Sequence, residues 1–279
     1  MKILELFAGT RSIGKAFEAH GHEVYSVEWD KNFENINLYA DIGKLTAEQI
    51  LAEFGRPDVI WASPDCATFS VAAISRHRRK NPVTKSLDPI SDYAKFCDEV
   101  DQNVLKLIRE LKPKFWFIEN PRGGMRKMEW MQGLPRYTVT YCKYELDKPV
   151  DQRRMKPTDI WTNHPNPDFI PHCSNGDPCH AKAPRGSQTG TQAMKNAREK
   201  GVIPAALCEH IVKICEKEYR ECDTCHAPML SGYCIHDGEE YYCSDDCLHG
   251  VYSKKEYEEL CEHDQGYWTE WGDESWASR

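Results

Sequence analysis

Residues 2–17 read KILELFAGTRSIGKAF, and the fold follows from this stretch. KILELF (2–7) is an apolar-rich run suited to a buried strand, and residues 12–19 repeat apolar side chains at helical spacing. Gly9 lies in the short turn between them. Strand, glycine-bearing turn and helix, in that order, open an α/β domain that binds ligands at the carboxyl ends of its strands. The pattern continues outward with HEVYSV (22–27) as a strand, TAEQILAEF (46–54) as a helix and DVIWA (58–62) as a strand. Tyr93, Phe96, Cys97, Val100, Val104, Leu107, Ile108 and Leu111 predict one long amphipathic helix before Pro113. FWFI (115–118), TVTYC (138–142) and DIWTN (159–163) read as further strands, so a parallel sheet with crossover helices is expected. Residues 164–190 are rich in Pro, Gly, Ser and Asn and read as a loop or linker. Pro204 then opens a helix of about four turns, with Leu207, Cys208, Ile211, Val212 and Cys215 on its apolar face.

The chain has 279 residues, enough for one full α/β domain and a small appendage. It has neither an apolar run long enough to cross a bilayer nor the series of a signal peptide, so a cytosolic protein is expected. Thirteen cysteines in a reducing compartment point to metal sites and chemistry rather than disulfides. The net charge of −8 is unevenly spread. Residues 221–279 carry 15 acidic and 3 basic residues, leaving 29 and 33 in residues 1–220, a mildly basic region compatible with phosphate contacts.

Several residues invite chemistry, each with a plainer alternative. Glu28-Trp29 closes the second strand, where a carboxylate accepts from ribose hydroxyls and an indole stacks on adenine; a solvated strand end is the alternative, and Asp41 is equally ambiguous. Cys66, in SPDCATFS (63–70), follows the third strand as either a nucleophile or an inert buried thiol. Glu119, in ENP (119–121), is either a proton donor to a ring nitrogen or a helix cap. QRRMK (152–156) is either a cationic site or a solvated basic turn.

Together and in this order, Phe7-Ala8-Gly9, Glu28-Trp29, Pro64-x-Cys66-x-x-x-Ser70, Glu119-Asn120 and Gln152-x-Arg154-x-Lys156 resemble the carbon-5 cytosine DNA methyltransferases. EKGVIPAALCEHIV (199–212) is similar to the family's last motif, which closes the cofactor site, and the resemblance spans residues 1–217. It implies a Rossmann-like S-adenosylmethionine-dependent methyltransferase fold over residues 1–220, with a small module at 221–279. It also implies that Cys66 adds to carbon 6 of a flipped-out cytosine in DNA while Glu119 holds or protonates N3. Arg154 and Lys156 would contact the base carbonyl or phosphate and orient Glu119; Phe7, Gly9, Glu28, Trp29 and Asp41 would hold S-adenosylmethionine. Three positions depart from the family: Asp65 stands where proline is usual, Lys156 replaces an arginine, and Thr10-Arg11-Ser12 thins the glycine turn. A carboxylate at Asp65 disfavours a neighbouring thiolate unless it is neutralised.

Small size and tail composition are similar to enzymes of bacteriophages and prophages, which implies action in a bacterial cytoplasm, where 5-methylcytosine would shield DNA from host nucleases as in restriction-modification. Only residues 164–198 stand where the family places a target-recognition domain. Base contacts are therefore expected from this loop, from RHRRK (76–80) or from another chain. Within the loop, Cys173 and Cys179, flanked by His172 and His180, offer a second set of metal ligands. Cys222-x2-Cys225 and Cys243-x3-Cys247 have the spacing of a tetrahedral structural zinc site, in a segment resembling treble-clef modules of the TRASH and MYM type; Cys234 and Cys261 lie outside the pairs. The acidic tail YWTEWGDESW (267–276) suits a protein partner or the basic face of residues 1–220. Two other functions fit the same residues: modification of RNA or a nucleotide, and a non-catalytic cofactor-binding protein that recruits partners through its zinc tail.

Overall fold

The strand expected at KILELF forms as β1, Lys2–Leu6, with four of its five residues buried. The chain is described here from a computed structural model covering residues 1–182 and 197–271. It divides into two units: Met1–Thr162 with Asp168–Cys215, and Asn163–Pro167 with Glu216–Arg279. In the first, α1 (Ser12–Ala19), β2 (Glu23–Glu28), β3 (Leu38–Tyr39), α2 (Ala47–Glu53) and β4 (Val59–Ala62) follow in turn. After the Cys66 loop come α3 (Ile74–His77) and a hairpin of β5 (Arg78–Lys80) and β6 (Leu87–Pro89). Next are α4 (Asp92–Leu111), β7 (Phe115–Pro121), β8 (Arg136–Thr140), β9 (Pro157–Thr162), α5 (Ala197–Gly201) and α6 (Ala205–Glu216).

The main sheet has the order β3-β2-β1-β4-β7-β9-β8. The chain builds outward from β1 to β3, then returns to place β4 on the other side of β1. That reversal of order opens the crevice in which open α/β sheets hold ligands. The expected all-parallel sheet needs correction, because β9 pairs antiparallel with both β7 and β8. Two connections between β7 and β9, with β8 between them, are too short in helix to form a crossover, and an antiparallel pairing needs none. The reversal has a functional consequence: the start of β9, not its end, lies at the edge carrying the carboxyl ends of the parallel strands. Pro157 pairs with Thr140 and Thr158 with Pro121, so Lys156 arrives beside the end of β7.

Helix α4 buries Cys97, Val100, Val104, Leu107, Ile108 and Leu111, as its spacing predicts. Tyr93 and Phe96, expected on the same face, are exposed. Both lie in the first turns of the helix, where Tyr93 gives its hydroxyl to Asp65. On α6, Cys208 and Cys215 pack in the core as expected, and the helix starts one residue after Pro204.

RHRRK, expected as one source of base contacts, does not present all of its cations to solvent. Arg76, Arg79 and Lys80 are exposed, but Arg78 is buried. Its guanidinium bonds both Asp98 oxygens at 2.6 and 3.1 Å and the carbonyl and hydroxyl of Thr68 at 3.1 and 2.9 Å. It also lies 4.0 Å from the centre of the Phe69 ring. A buried cation without its partner is costly, so this pairing anchors the loop that follows Cys66 to α4.

The second unit carries β10 (Arg220–Glu221), β11 (Pro228–Met229), β12 (Ser231–Ile235), β13 (Glu240–Tyr242), α7 (Asp245–His249), α8 (Lys254–Glu262) and β14 (Gly266–Glu270). Its core is small: Met229, Ile235, Tyr242 and Leu248 around Cys222. Among the described residues, no helix is long and apolar enough to cross a membrane. The expected loop at 164–198 is irregular through residue 182; residues 183–196 and the last part of the acidic tail lie outside the described residues.

Replacing Arg78 by Met leaves Asp98 buried and unpaired and is expected to lower stability by about 3–5 kcal/mol in urea unfolding. Adding Asp98→Leu should recover much of the loss. Equal stability of Arg78→Met and the wild type would show that the pair does not anchor this loop.

Candidate active site

The sheet's carboxyl edge collects most of the residues singled out by sequence. Phe7 and Gly9 follow β1, Glu28 ends β2, Cys66 follows β4 and Glu119 lies in β7. Phe7, Gly9 and Arg11 all have positive φ, at 56°, 50° and 57°, so the chain turns tightly between β1 and α1. Gly9 tolerates this without a Cβ penalty; the other two are held in place by their surroundings. Arg11 is buried, donating to Ser26 Oγ at 2.9 Å and pairing with Glu18. Glu5, buried in β1, accepts from the Gly14 amide and the Ser26 hydroxyl, each at 2.8 Å, while burial raises its pKa. A Cβ on Gly14 would lie 2.5 Å from Glu5 Oε2, so this glycine permits the close approach of α1 to β1.

Glu28 is 5% exposed and gathers three backbone amides: Gly9 on Oε2 at 2.9 Å, and Trp29 and Asp30 on Oε1 at 2.9 and 3.1 Å. A carboxylate offers about four acceptor sites, so one remains for a ligand hydroxyl. Trp29 is 69% exposed, its indole open to stacking. Asp41 caps a short 3-10 turn through the Gly43 amide at 3.0 Å and lies 3.3 Å from Lys44. This donor and acceptor set fits a ribose and adenine beside a glycine turn, as S-adenosylmethionine requires.

The Cys66 loop is braced from three sides. Amides of Phe69 and Ser70 donate to the Cys66 carbonyl at 3.1 and 2.9 Å. Asn120 Nδ2 donates to the Pro64 carbonyl at 3.0 Å, and the Gly124 amide to the Phe69 carbonyl at 2.8 Å. A Cβ on Gly123 would lie 2.5 Å from that same Phe69 carbonyl, which makes glycine a steric requirement there. Asp65, exposed, accepts from the Ala67 amide at 2.6 Å and from the Tyr93 hydroxyl. Its charge is thus partly satisfied locally. Burial pushes the Cys66 thiol up; Lys156 opposes this, and Glu119 and Asp65 add to it in that order.

Glu119 is buried within β7 itself, because the strand runs to Pro121, three residues beyond the expected FWFI. It accepts from the Tyr141 hydroxyl at 3.0 Å and lies 3.8 Å from Lys156 Nζ. Lys156 also donates to the Lys200 carbonyl at 3.0 Å, and its ammonium sits 4.6 Å from the centre of the Tyr141 ring. Arg154 is turned elsewhere. Its guanidinium bonds Glu145, with Nε at 2.6 Å, and donates to the carbonyls of Glu199 and Val202 at 3.1 and 2.7 Å. Arg154 and Lys156 therefore both hold the returning segment 199–202, and Lys156 alone of the two pairs with Glu119. The Ile203 amide completes the return at Ser12 Oγ, 3.4 Å away. One concavity of about 790 Å³ runs along Ser12, Arg154, Ile203 and His210; neither Cys66 nor Glu28 lines it.

Sequence reasoning missed Tyr141, Gly123 and Glu145, none of which belongs to a motif read above; Asn120 was read only as the partner of Glu119 in that motif, without its role in bracing the Cys66 loop.

In the second unit, Cys222, Cys225, Cys243 and Cys247 converge, their sulfurs all within 4.8 Å of one another. Cys222 and Cys225 flank the tight turn between β10 and β11, Cys243 follows β13, and Cys247 lies in the first turn of α7, capped by Ser244. The Cys225–Cys243 and Cys243–Cys247 separations are 3.5 and 3.6 Å, close to the edge of a zinc–thiolate tetrahedron of about 3.8 Å. Cys234 lies apart in β12, 3.4 Å from the Tyr267 hydroxyl, and Cys261 is exposed.

A family profile described as C-5 cytosine-specific DNA methylase matches residues 1–129, which include Cys66 and Glu119. Over 181 residues, 64% of this chain and 78% of the relative, the chain is 30% identical to a probable DNA (cytosine-5)-methyltransferase of Frog virus 3 (isolate Goorha). Among solved structures it is similar to the S. pombe Dnmt2 methyltransferase (14% identity, TM-score 0.39, covering 58% of this chain and 49% of that one). It is also similar to the Entamoeba histolytica methyltransferase EhMeth (14% identity, TM-score 0.40, covering 58% and 52%). The chain thus spans about half the length of these two structures. By its viral relative and its matched motifs, the chain belongs to the C-5 cytosine-specific DNA methylase family and is an S-adenosylmethionine-dependent cytosine methyltransferase.

Proposed function

We propose that the chain methylates carbon 5 of cytosine in DNA, with Cys66 as a covalent nucleophile. The observation that carries this reading is the gathering of Cys66, Glu119 and Lys156 at one sheet edge, with Lys156 the charge that most favours the Cys66 thiolate. The thiolate adds to carbon 6 of the base, which turns carbon 5 into an enamine-like nucleophile. Glu119, steadied by the Tyr141 hydroxyl, holds N3 and supplies a proton as charge builds on the ring. Phe7, Gly9, Glu28, Trp29 and Asp41 would hold S-adenosylmethionine, which would supply the electrophilic methyl group. Loss of the carbon-5 proton then expels the Cys66 thiolate and restores the aromatic ring. The attacked face of carbon 6 is covered in a duplex, so the base is flipped out before reaction.

In this proposal Arg154 acts as a positioning residue, since its guanidinium is taken up by Glu145 and the 199–202 carbonyls. Cys222, Cys225, Cys243 and Cys247 hold a structural zinc ion, in keeping with the separations of their sulfurs and the small apolar core around them. The acidic second unit serves a protein partner. A bacteriophage enzyme acting in a bacterial cytoplasm is the proposed setting; the viral relative supports a virus-borne gene.

Tritiated methyl transfer to cytosine-containing duplex DNA tests the reaction, with an RNA of the same sequence in parallel. Cys66→Ala is expected to lose activity by about 10⁴-fold or more. Labelled RNA with unlabelled DNA would move the substrate class, and equal activity of wild type and Cys66→Ala would remove the nucleophile. The Cys66 environment yields a second expectation. Its thiol is raised by burial and lowered by Lys156, so alkylation of the Cys66 peptide should rise with pH, lagging an ordinary cysteine. Lys156→Met should move that profile further alkaline. An unchanged profile, followed by mass spectrometry, would show that Lys156 does not act on the thiolate.

A further inference from the structure

Cys142 lies far in sequence from Cys173, Cys179 and His180, yet all four meet in one buried cluster of the first unit. Cys142 Sγ lies 3.3 Å from Cys173 Sγ, 3.7 Å from Cys179 Sγ and 3.8 Å from His180 Nδ1. His180 Nδ1 lies 3.7 Å from Cys173 Sγ and 3.4 Å from Cys179 Sγ. The remaining edge, Cys173 to Cys179, falls within 4.8 Å. Zinc bonds of about 2.3 Å to sulfur and about 2.0 Å to nitrogen give tetrahedron edges of about 3.8 Å between sulfurs and about 3.5 Å between sulfur and nitrogen. Five of the six edges are therefore close to that figure, and one nitrogen faces all three sulfurs.

Ordinary packing accounts poorly for the cluster. Among the described residues, the one partly buried apolar side chain packed against the three thiols is Met155, so no aliphatic or aromatic core among those residues accounts for their burial. A disulfide would join two thiols and leave the third, together with the imidazole, unexplained. His172, also in this segment, is exposed and stands outside the group.

We infer that Cys142, Cys173, Cys179 and His180 bind a structural zinc ion. Four protein ligands leave no open position, so the ion would act in folding rather than in catalysis. It would clamp residues 168–182 to the segment that begins at the end of β8. Hydrogen bonds already stitch the two: the Cys173 amide to Thr140 Oγ1 at 3.1 Å, the Ile170 amide to the Tyr144 hydroxyl at 2.9 Å, and the Ala181 amide to the Val150 carbonyl at 3.1 Å. Cys142 directly follows Tyr141, the residue that donates to Glu119, so the clamp would also stiffen the mount of the catalytic carboxylate.

Zinc content and X-ray absorption of the purified full chain test this independently of methyl transfer. With both sites filled, two zinc ions per chain and an average shell of 3.5 sulfurs and 0.5 nitrogens are expected, since the two groups contribute seven cysteines and one histidine. A Cys222→Ser/Cys225→Ser variant, altered only in the second unit, should retain one zinc with three sulfurs and one nitrogen. Cys179→Ser in that background should lose it. The inference is overturned if the wild type holds one zinc in a purely sulfur shell, or none, or if the Cys222→Ser/Cys225→Ser variant holds none while remaining folded by circular dichroism.

Discussion

The sheet edge that carries Cys66 and Glu119 depends on how two buried cations, Arg154 and Lys156, are compensated. Each is at most 9% exposed, and withdrawing such charges from water costs several kcal/mol unless partners replace the lost solvation. Arg154 finds Glu145 and two carbonyls; Lys156 finds Glu119 and one carbonyl. Three of these acceptors are backbone oxygens of residues 199–202, so charge compensation draws a distant segment back onto the sheet. The same arrangement puts an ammonium beside Glu119 and within reach of the Cys66 field. In the proposed reaction, folding and chemistry would thus share one set of charges.

Strand direction makes this possible. β9 runs against its neighbours, so the residues preceding it reach the edge that the parallel strands approach with their carboxyl ends. Had β9 been parallel, Arg154 and Lys156 would sit at the opposite edge. Hydrophobic pattern identifies DIWT as buried on both faces but carries no information on direction, which explains why the strand itself was legible and its orientation was not. The same limit applies to Tyr141. TVTYC reads as a strand through Cys142, whereas the chain leaves the sheet after Thr140 into a 3-10 turn, and this turn aims Tyr141 at Glu119 and buries Cys142.

Local motifs were the most readable part. The strands and helices expected within residues 2–62 form within a residue or so of their expected bounds, because short apolar runs and glycine turns encode them directly; the two-residue β3 carries no such run and was not expected. Cys66, Glu119 and Lys156 were legible as candidates through order and spacing. Arg154 was legible as a cation of the matched motif, expected to orient Glu119, but not in its actual partner, since Glu145 lies nine residues away with no motif around it. In the same way, Arg78 within RHRRK looked like its solvated neighbours, and only tertiary packing against Asp98 and Phe69 separates it from them. Cysteine clusters split along the same line: the paired spacings at 222–247 announce a site, while Cys142 joins Cys173, Cys179 and His180 only once the sheet is formed.

The central claim is that Cys66 bonds to the cytosine ring at this edge. Duplex DNA carrying 5-fluorocytosine tests it most directly, because fluorine at carbon 5 cannot leave as a proton does and the adduct cannot collapse. With S-adenosylmethionine present, the account predicts a denaturation-resistant protein–DNA complex whose peptide map places the bond on Cys66. DNA and cofactor bound without any covalent complex, or a bond mapped to another cysteine, would contradict it.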